Sequence, residues 1–195
     1  MPGDSFTLRA ATLADVPAIR ALIEISAHGL SVGDYTREQI DGALRGAFGV
    51  DTQLLKDGSY FVAQSGAGTG TGTPLLAGCG GWSFRRTLFG GDARTDRDPQ
   101  PLDPQVDAAK IRAFFVHPDW ARRGIGRSIM ATCEQAIAQA GFRKVDIVAT
   151  LVGEPLYASF GYAVVERYEI PMRGGLSLPV VRMTKDMCSE HRKDR

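Results

Sequence analysis

The sequence has few cysteines, almost no excess charge and no long apolar run, and each shortage excludes a class of protein. Its three cysteines, Cys79, Cys133 and Cys188, lie far apart and form no CxxC pair. Neither a disulfide framework nor a structural zinc site is therefore expected, and we predict reduced, mostly buried thiols and no bound metal. Lysine plus arginine number 23 and aspartate plus glutamate 22, a balance that disfavours a nucleic-acid-binding protein.

Membrane insertion and secretion are also disfavoured. No stretch approaches the roughly 20 consecutive apolar residues that cross a bilayer. The first residues, MPGDSFTLRA, lack a basic segment followed by an apolar run, so no signal peptide is predicted. We therefore expect a cytoplasmic protein without membrane contact. Its 195 residues suffice for one domain.

Glycine, by contrast, is abundant, with 23 of 195 residues, about 12% against a typical share of about 7%. Four of these glycines fall within residues 66–72, which lack apolar periodicity and predict a flexible hairpin loop. Two others, Gly124 and Gly126, stand between an apolar strand and an amphipathic helix. Only this second group stands where a backbone close to a ligand would be useful.

The apolar periodicity predicts one mixed α/β domain over residues 6–187, preceded by a disordered segment 1–5 and followed by a charged tail 188–195. The predicted elements are strand 6–10, a helix capped by Thr12 that fades near 28–29, helix 36–48, strands 59–64, 75–84 and 111–116, helix 124–140, strand 145–149, helix 154–160, and strands 162–170 and 178–184. Residues 86–107 form a long predicted loop, and loops of that length are usually functional or mobile.

The turn before the helix at 124–140 is the most informative segment. The first N–H groups of a helix lack intrahelical partners and carry partial positive charge, so they bind phosphate well. Arg122, Arg123 and Arg127 add formal positive charge beside them. The pattern indicates a phosphate or pyrophosphate site, although a plain tight turn would use the same glycines.

Two familiar phosphate loops fit this segment poorly. A Walker loop requires GxxxxGK[ST], which the sequence does not contain. A dinucleotide fingerprint requires GxGxxG, and Ile129 occupies the third glycine position. A nucleotide-dependent oxidoreductase is therefore the weaker alternative.

A third motif fits better. Gly124 and Gly126 follow a strand that ends at Val116-His117-Pro118, and this arrangement resembles motif A of the GNAT superfamily of N-acetyltransferases, [QR]-x-x-G-x-[GA]. Ala121 departs from the first position of that motif. The run EPLYASFGY, with Tyr157, Gly161 and Tyr162, resembles the end of the family's motif B. The order of elements over residues 6–187 is also similar to that of the family.

The resemblance implies a fold, a cofactor and site residues. The fold is α/β (α+β), a twisted mixed sheet of six to seven strands flanked by about four helices, with two adjacent strands splayed to admit the pantetheine arm of acetyl-CoA. Acetyl-CoA is the implied co-substrate, with Phe115 and Val116 beside its pantetheine, the Val116 N–H as a candidate oxyanion donor, and Tyr157 as the candidate general acid. The residues expected to hold its pyrophosphate are Arg122, Arg123, Gly124, Ile125, Gly126, Arg127 and Ser128.

The general base stays unassigned. Some family members carry a glutamate where this sequence has Lys110, which has the wrong charge for a carboxylate base. Other ionisable candidates are Glu24, His28, Asp107, His117 and Glu154. This departure favours one alternative function, a GNAT-like module that binds acyl-CoA as a sensor without turnover.

The expected acceptor is a primary amine of a small molecule or peptide, attacked directly in a ternary complex, and a homodimer stays open. In this family the acceptor groove is lined by the first two helices and the last strands, here His28–Tyr35 and the turn at Gly174-Gly175. Polar or aromatic side chains that could face it are His28, Tyr35, Trp82, Arg85, Arg86 and Tyr168. The pair Arg85-Arg86 could attract an acidic acceptor, or could simply be solvated.

Overall fold

Seven strands and five α-helices account for most of the chain in the computed structural model, which describes residues 5–66 and 75–187. Three short 3₁₀ turns, Leu13–Asp15, Pro118–Trp120 and Arg173–Gly175, complete the described elements. In chain order the strands and helices are β1 (Phe6–Ala10), α1 (Val16–Leu30), α2 (Arg37–Leu44), α3 (Thr52–Lys56), β2 (Tyr60–Ser65), β3 (Leu76–Ser83), β4 (Ala109–Val116), α4 (Ile125–Gln139), β5 (Lys144–Thr150), α5 (Glu154–Ser159), β6 (Ala163–Pro171) and β7 (Ser177–Asp186).

The strands form one mixed sheet in the order β1-β2-β3-β4-β5-β7-β6. Every neighbouring pair among them is antiparallel except β4 and β5, which run parallel. A parallel pair needs a crossover, and α4 provides it. The predicted mixed sheet is confirmed, at the upper end of the predicted strand number.

The described residues form five α-helices, in agreement with the prediction of about four. The helix predicted over 36–48 ends at Leu44, and a separate short helix, α3, follows it. Asp51 caps α3 by accepting a hydrogen bond from the Gln53 N–H at 3.1 Å. A five-residue helix shows too little apolar periodicity to be recognised from sequence.

Local capping marks the start of the 3₁₀ turn Leu13–Asp15, which leads directly into α1, and the start of α2. The Thr12 N–H donates to Asp15 at 2.8 Å, and the Asp15 carboxylate also pairs with Arg9. The Gln39 N–H donates to Thr36 Oγ1 at 3.2 Å, and the Thr36 N–H donates back to the Gln39 side chain at 2.9 Å. Both arrangements satisfy amides that the first helical turn leaves unpaired.

Two apolar cores lie on opposite faces of the sheet. One contains the buried faces of α1, α2 and α3 together with Leu178 and Val180 of β7. The other contains α4 and Tyr157 of α5 together with Val181 and Met183 of β7. The alternation along β7 is the expected period of two. Helix α4 lies so close to the sheet that a Cβ at Gly78 would be only 2.5 Å from Ile125 Cγ2, and glycine at this position makes that approach possible.

The cysteine prediction is confirmed where the chain is described. Cys79 and Cys133 are free and buried, and burial raises the pKa of the Cys79 thiol to about 12. Cys188, the tail 188–195 and the predicted glycine loop apart from Gly66 lie outside the described residues. Among the described helices, none is both long and apolar enough to cross a membrane.

Candidate functional site

The parallel strands β4 and β5 pair over only part of their length. Three register pairs join them, from Ala109–Val145 to Ile111–Ile147. Past that point β4 runs on to Val116 and β5 to Thr150 without pairing, and a cleft of about 550 Å³ opens between them. Residues of both strands line this cleft, so backbone groups there that lack a strand partner can reach a ligand or a side chain.

A bulge re-aims β4 at the mouth of this cleft. Ala113 and Phe114 together oppose the single residue Gly80 of β3, and Ala113 has φ +55°. The buried Tyr60 hydroxyl donates to the Ala113 carbonyl at 2.8 Å and so holds the bulge. A Cβ at Gly80 would lie 2.6 Å from the Phe114 ring, so glycine makes room for that ring. Bulges of this kind commonly redirect side chains at functional sites.

The turn between β4 and α4 has unusual backbone geometry. Arg122 has φ +64° and Gly124, the residue that precedes the first turn of α4, has φ +85°. The Arg123 guanidinium lies over the Trp120 ring at 5.1 Å. A left-handed conformation at a non-glycine residue costs about 1–2 kcal/mol and is often found at ligand sites.

The start of α4 has the features of an anion site. Its first i→i−4 hydrogen bond runs from the Ser128 N–H to the Gly124 carbonyl at 2.9 Å. The preceding N–H groups, of Ile125, Gly126 and Arg127, therefore have no partner within the helix. All three residues line the cleft, and the helix dipole adds partial positive charge there.

Tyr157 lies on α5, across the cleft from the bulge. Its ring contacts Phe114 and Tyr162 edge to face, with centroids 6.1 and 6.2 Å away. A Cβ at Gly153 would be 3.1 Å from the Tyr157 ring, so a small residue suits that position. Burial raises the Tyr157 pKa well above its usual range, which keeps the phenol protonated.

The structure brings together most of the residues predicted for the site. Eight of the ten line the single cleft: Phe115, Val116, Arg122, Gly124, Ile125, Gly126, Arg127 and Tyr157. Arg123 and Ser128 do not line it. Ser128 uses its N–H and its carbonyl within α4, bonding Gly124 and Thr132.

The groove predicted for an acceptor coincides with this cleft only in part, since Leu30 and Ser31 of the predicted segment His28–Tyr35 line it. The cleft continues to the other face of the sheet, where its lining comes from α1, the segments 47–49 and 88–90, β6 and β7. Six side chains that were expected to face the groove do not line the cleft: His28, Tyr35, Trp82, Arg85, Arg86 and Tyr168. The Gly174-Gly175 turn does not line it either.

Three of these side chains have other contacts. Tyr35 donates to the Pro179 carbonyl at 2.7 Å, Arg85 pairs with Asp57 at 2.7 Å, and Trp82 packs in the core against Phe142. Each contact spans distant parts of the chain, so the sequence alone did not indicate it. The suggested attraction of an acidic acceptor to Arg85 has no support here.

No aspartate, glutamate or histidine in residues 5–66 and 75–187 lines the cleft. Lys110 pairs with Asp146 at 3.1 Å, and both carboxylate oxygens of Glu154 accept from Arg167. His28 lies 3.4 Å from Asp41. The remaining candidates, Glu24, Asp107 and His117, are also absent from the lining. The described lining of the cleft therefore offers no carboxylate or imidazole that could be assigned as the general base.

One polar contact in the cleft was not predicted. The Val116 N–H, expected as an oxyanion donor, donates to Ser26 Oγ at 3.2 Å. Ser26 lies on the buried face of α1 and lines the cleft. In the sequence, this contact is indicated only by a serine within the apolar face of the first helix.

A buried ion cluster supports the floor of the cleft. Arg112 lies 2.8 Å from Asp51 and donates to the Thr87 carbonyl at 3.1 Å and to the Gly90 carbonyl. Arg97 also contacts Asp51. Burial lowers the Arg112 pKa to about 10. The cluster fixes the long loop 86–107 against β4, so Leu88 and Phe89 can line the cleft.

In the described ranges, no three or more histidine, cysteine, aspartate or glutamate side chains are grouped so that they could hold a metal ion. The polar side chains among the lining residues are serine, threonine and tyrosine hydroxyls, the Trp120 indole and three guanidinium groups. Such groups suit anions and carbonyl oxygens rather than cations.

Comparison with known proteins supports this picture. Residues 102–186 match the family model of the GNAT acetyltransferase domain. A GCN5-related N-acetyltransferase of Rhodopseudomonas palustris superposes with a TM-score of 0.64 at 20% identity, covering 95% of this chain and 98% of that one.

Two further solved structures were determined with cofactor. The PaiA N-acetyltransferase of Thermoplasma acidophilum, in complex with coenzyme A, has a TM-score of 0.58 at 14% identity and covers 93% of this chain and 99% of that one. The putative acetyltransferase YncA of Salmonella typhimurium, with acetyl-CoA, gives the same TM-score and identity and covers 98% and 99%. No curated protein matches the sequence significantly.

The matched segment contains the splayed strand, the glycine turn and Tyr157, and the fold match extends over nearly the whole chain. The chain therefore has the GNAT fold, and its residues 102–186 match the GNAT acetyltransferase domain, as the resemblance in its two motifs implied.

Proposed function

We propose that the chain transfers the acetyl group of acetyl-CoA to a primary amine by direct attack in a ternary complex. The observation that carries this proposal is the continuity of one cleft through the sheet. It joins the amide-rich start of α4 on one face to an apolar chamber on the other, through the gap between β4 and β5. Two reactants can thus meet from opposite faces without a covalent enzyme intermediate.

The residues present fit acetyl-CoA. The N–H groups of Ile125, Gly126 and Arg127 suit a pyrophosphate, and Arg122 and Arg127 supply charge beside them. The free edge of β4 at Phe115 suits the amide groups of a pantetheine arm. Two of the solved structures that share the fold were determined with coenzyme A or acetyl-CoA, which supports the same cofactor here.

The chemistry then requires one bond to form and one to break. The acceptor nitrogen bonds to the acetyl carbonyl carbon, the carbon–sulfur bond breaks, and a proton from the amine ends on the departing thiol. We propose Tyr157 as the general acid that protonates the sulfur, because its phenol lines the cleft and burial keeps it protonated.

The carbonyl oxygen gains charge during this attack and needs a donor. The Val116 N–H is the proposed donor. It now donates to Ser26 Oγ at 3.2 Å, so that contact must give way to the substrate oxygen or be shared with it. A shared arrangement would add the Ser26 hydroxyl as a second donor.

Release of free thiol from acetyl-CoA across a panel of amines tests the proposal. Sustained release that depends on both acetyl-CoA and an amine is expected, with the acetylated amine as product. Tight binding of acetyl-CoA without release across the panel would instead favour the sensor alternative. The lack of a carboxylate or histidine in the described cleft lining is the observation on which that alternative depends.

A further inference from the structure

The far end of the cleft differs in chemistry from the end at α4. We infer that the acceptor is an uncharged, apolar molecule whose amino group is only weakly basic, as in the α-amine of a leucine-like amide. This inference rests on the proposed acetyl transfer and specifies its second substrate.

The lining at that end is apolar. Carbon side chains from five separate segments meet there: Leu30, Phe48, Leu88, Phe89, Ile170 and Leu178. Phe48 also packs edge to face on Phe115 of β4, with ring centroids 5.7 Å apart. An acceptor with an apolar body gains about 25 cal/mol for each Å² that it buries against such a surface.

Charge in the cleft opposes a cationic acceptor. The ionised side chains among its described lining residues are Arg112, Arg122 and Arg127, all positive. Arg112 bonds the carbonyls of Thr87 and Gly90, beside the lining residues Leu88 and Phe89, and its counter-ion, Asp51, is not among the lining residues. An ammonium group would lose its hydration there without gaining an anionic partner, which lowers its pKa and weakens its binding.

The same lining offers no group to remove a proton from an ammonium ion. Four acidic residues are next in sequence to lining residues. Glu154 pairs with Arg167, Asp146 pairs with Lys110 and Arg182, and Glu169 accepts from the Ser177 hydroxyl. The fourth, Asp119, is exposed and lies outside the lining. An acceptor must therefore arrive with a neutral amine. An α-amine has a pKa of about 7.8 and an alkylamine about 10.4, so at pH 7 the neutral fraction of the former is roughly 300-fold larger.

Three acceptors separate these effects: leucinamide, 3-methylbutylamine and lysinamide. The second keeps an apolar body but has a strongly basic amine, and the third keeps a weakly basic α-amine but adds a cation. At pH 7 we expect kcat/KM for 3-methylbutylamine to be at least 100-fold below that for leucinamide, and for lysinamide at least tenfold below it. Between pH 7 and 9 the value for 3-methylbutylamine should rise about tenfold per pH unit, while that for leucinamide levels off near its own pKa.

A matched pair of variants at Leu88, which is only partly buried, tests the lining itself. Leu88→Glu places a carboxylate at the acceptor end and should raise the lysinamide-to-leucinamide ratio of kcat/KM at least tenfold. Leu88→Gln has the same size without the charge and should leave lysinamide disfavoured.

Equal or better use of lysinamide by the unaltered protein, or pH profiles that rise together at one pKa for both monoamines, would overturn the inference and leave acetyl transfer intact. Absence of thiol release with every amine would refute acetyl transfer as well.

Discussion

The two ends of the cleft bind by different means. At α4, consecutive residues present backbone N–H groups and guanidinium groups, and the geometry depends on the left-handed conformations of Arg122 and Gly124. At the far end, side chains from distant segments present carbon surfaces, and Arg112 fixes one of those segments through backbone carbonyls. The first arrangement suits a ligand common to many proteins, and the second suits one particular acceptor.

This difference teaches where substitutions should act. Changes of backbone conformation at the first end should weaken cofactor binding and leave acceptor selection alone. Changes of side chain at the second end should do the reverse. Only groups at the junction, where β4 and β5 separate, should alter the chemical step.

The largest effect is expected at that junction. Tyr157→Phe removes the proposed acid and should lower kcat about 10²–10⁴-fold, with little change in the Kd for coenzyme A. Steady-state kinetics with calorimetric measurement of Kd would check this. Tyr162→Phe is the matched control, because Tyr162 is buried beside Tyr157 but does not line the cleft. An unchanged kcat in Tyr157→Phe would remove the general-acid role.

The next largest effect is expected on coenzyme A binding alone. Gly124→Val places a β-branched side chain at φ +85°, a conformation that such residues avoid, so the turn must change and the affinity for coenzyme A should fall about 100-fold. Nothing lies within 4 Å of a Cβ at this position, so the fold itself should persist.

Gly124→Asn provides the control, since asparagine tolerates the left-handed region. Its Kd for coenzyme A, measured by calorimetry, should stay within about tenfold of the original. Equal affinity in the valine variant would show that this turn does not bind the pyrophosphate.

The third effect is expected on acceptor binding. Arg112→Met leaves Asp51, which is 1% exposed, with Arg97 as its remaining arginine partner, and should cost about 3 kcal/mol in the free energy of unfolding. It also releases the carbonyls of Thr87 and Gly90, so KM for the acceptor should rise about tenfold while the Kd for coenzyme A stays within twofold. Denaturant unfolding and kinetics at two temperatures would separate the two consequences.

Lys110→Met is the comparison for this variant. Lys110 belongs to the same strand, but Asp146 keeps Arg182 and Thr184 as partners. Its acceptor KM should not change. A similar rise in KM for both variants would mean that general loosening of β4, rather than the position of the 86–107 loop, sets acceptor binding.

The α4 end of the cleft, where we propose that the cofactor binds, could be predicted from sequence because its parts are contiguous. The glycine turn, the arginines and the strand before them lie within about twenty residues, and capping and periodicity locate the helix. Tyr157 was predicted because its motif is local as well. The structure added the bulge at Ala113, which depends on the remote partners Tyr60 and Gly80.

The far end of the cleft could be predicted only in part. The resemblance implied the segment His28–Tyr35 and the last strands, of which Leu30, Ser31 and Leu178 line the cleft, but it did not imply the 86–107 loop. Its lining depends on a loop of more than twenty residues whose path is fixed by a cluster in which Arg112 and the loop's own Arg97 both contact Asp51, which is remote in sequence. Local patterns carry no information about which distant segments meet. The polar and aromatic residues singled out there, such as Arg85 and Tyr35, instead join distant parts of the chain.

The smallest effect sharpens the difference between backbone and charge at the cofactor end. Arg122→Ala and Arg122→Gly both remove the guanidinium, so both should weaken coenzyme A binding by the same three- to tenfold, of the order expected for one exposed charged contact. The two variants differ in conformational strain. A φ of +64° at this position is unfavourable for alanine but not for glycine. The glycine variant should therefore be more stable than the alanine variant by about 1 kcal/mol in denaturant unfolding. If the glycine variant instead binds coenzyme A as tightly as the original protein, then backbone conformation, and not the Arg122 charge, carries the affinity of this turn.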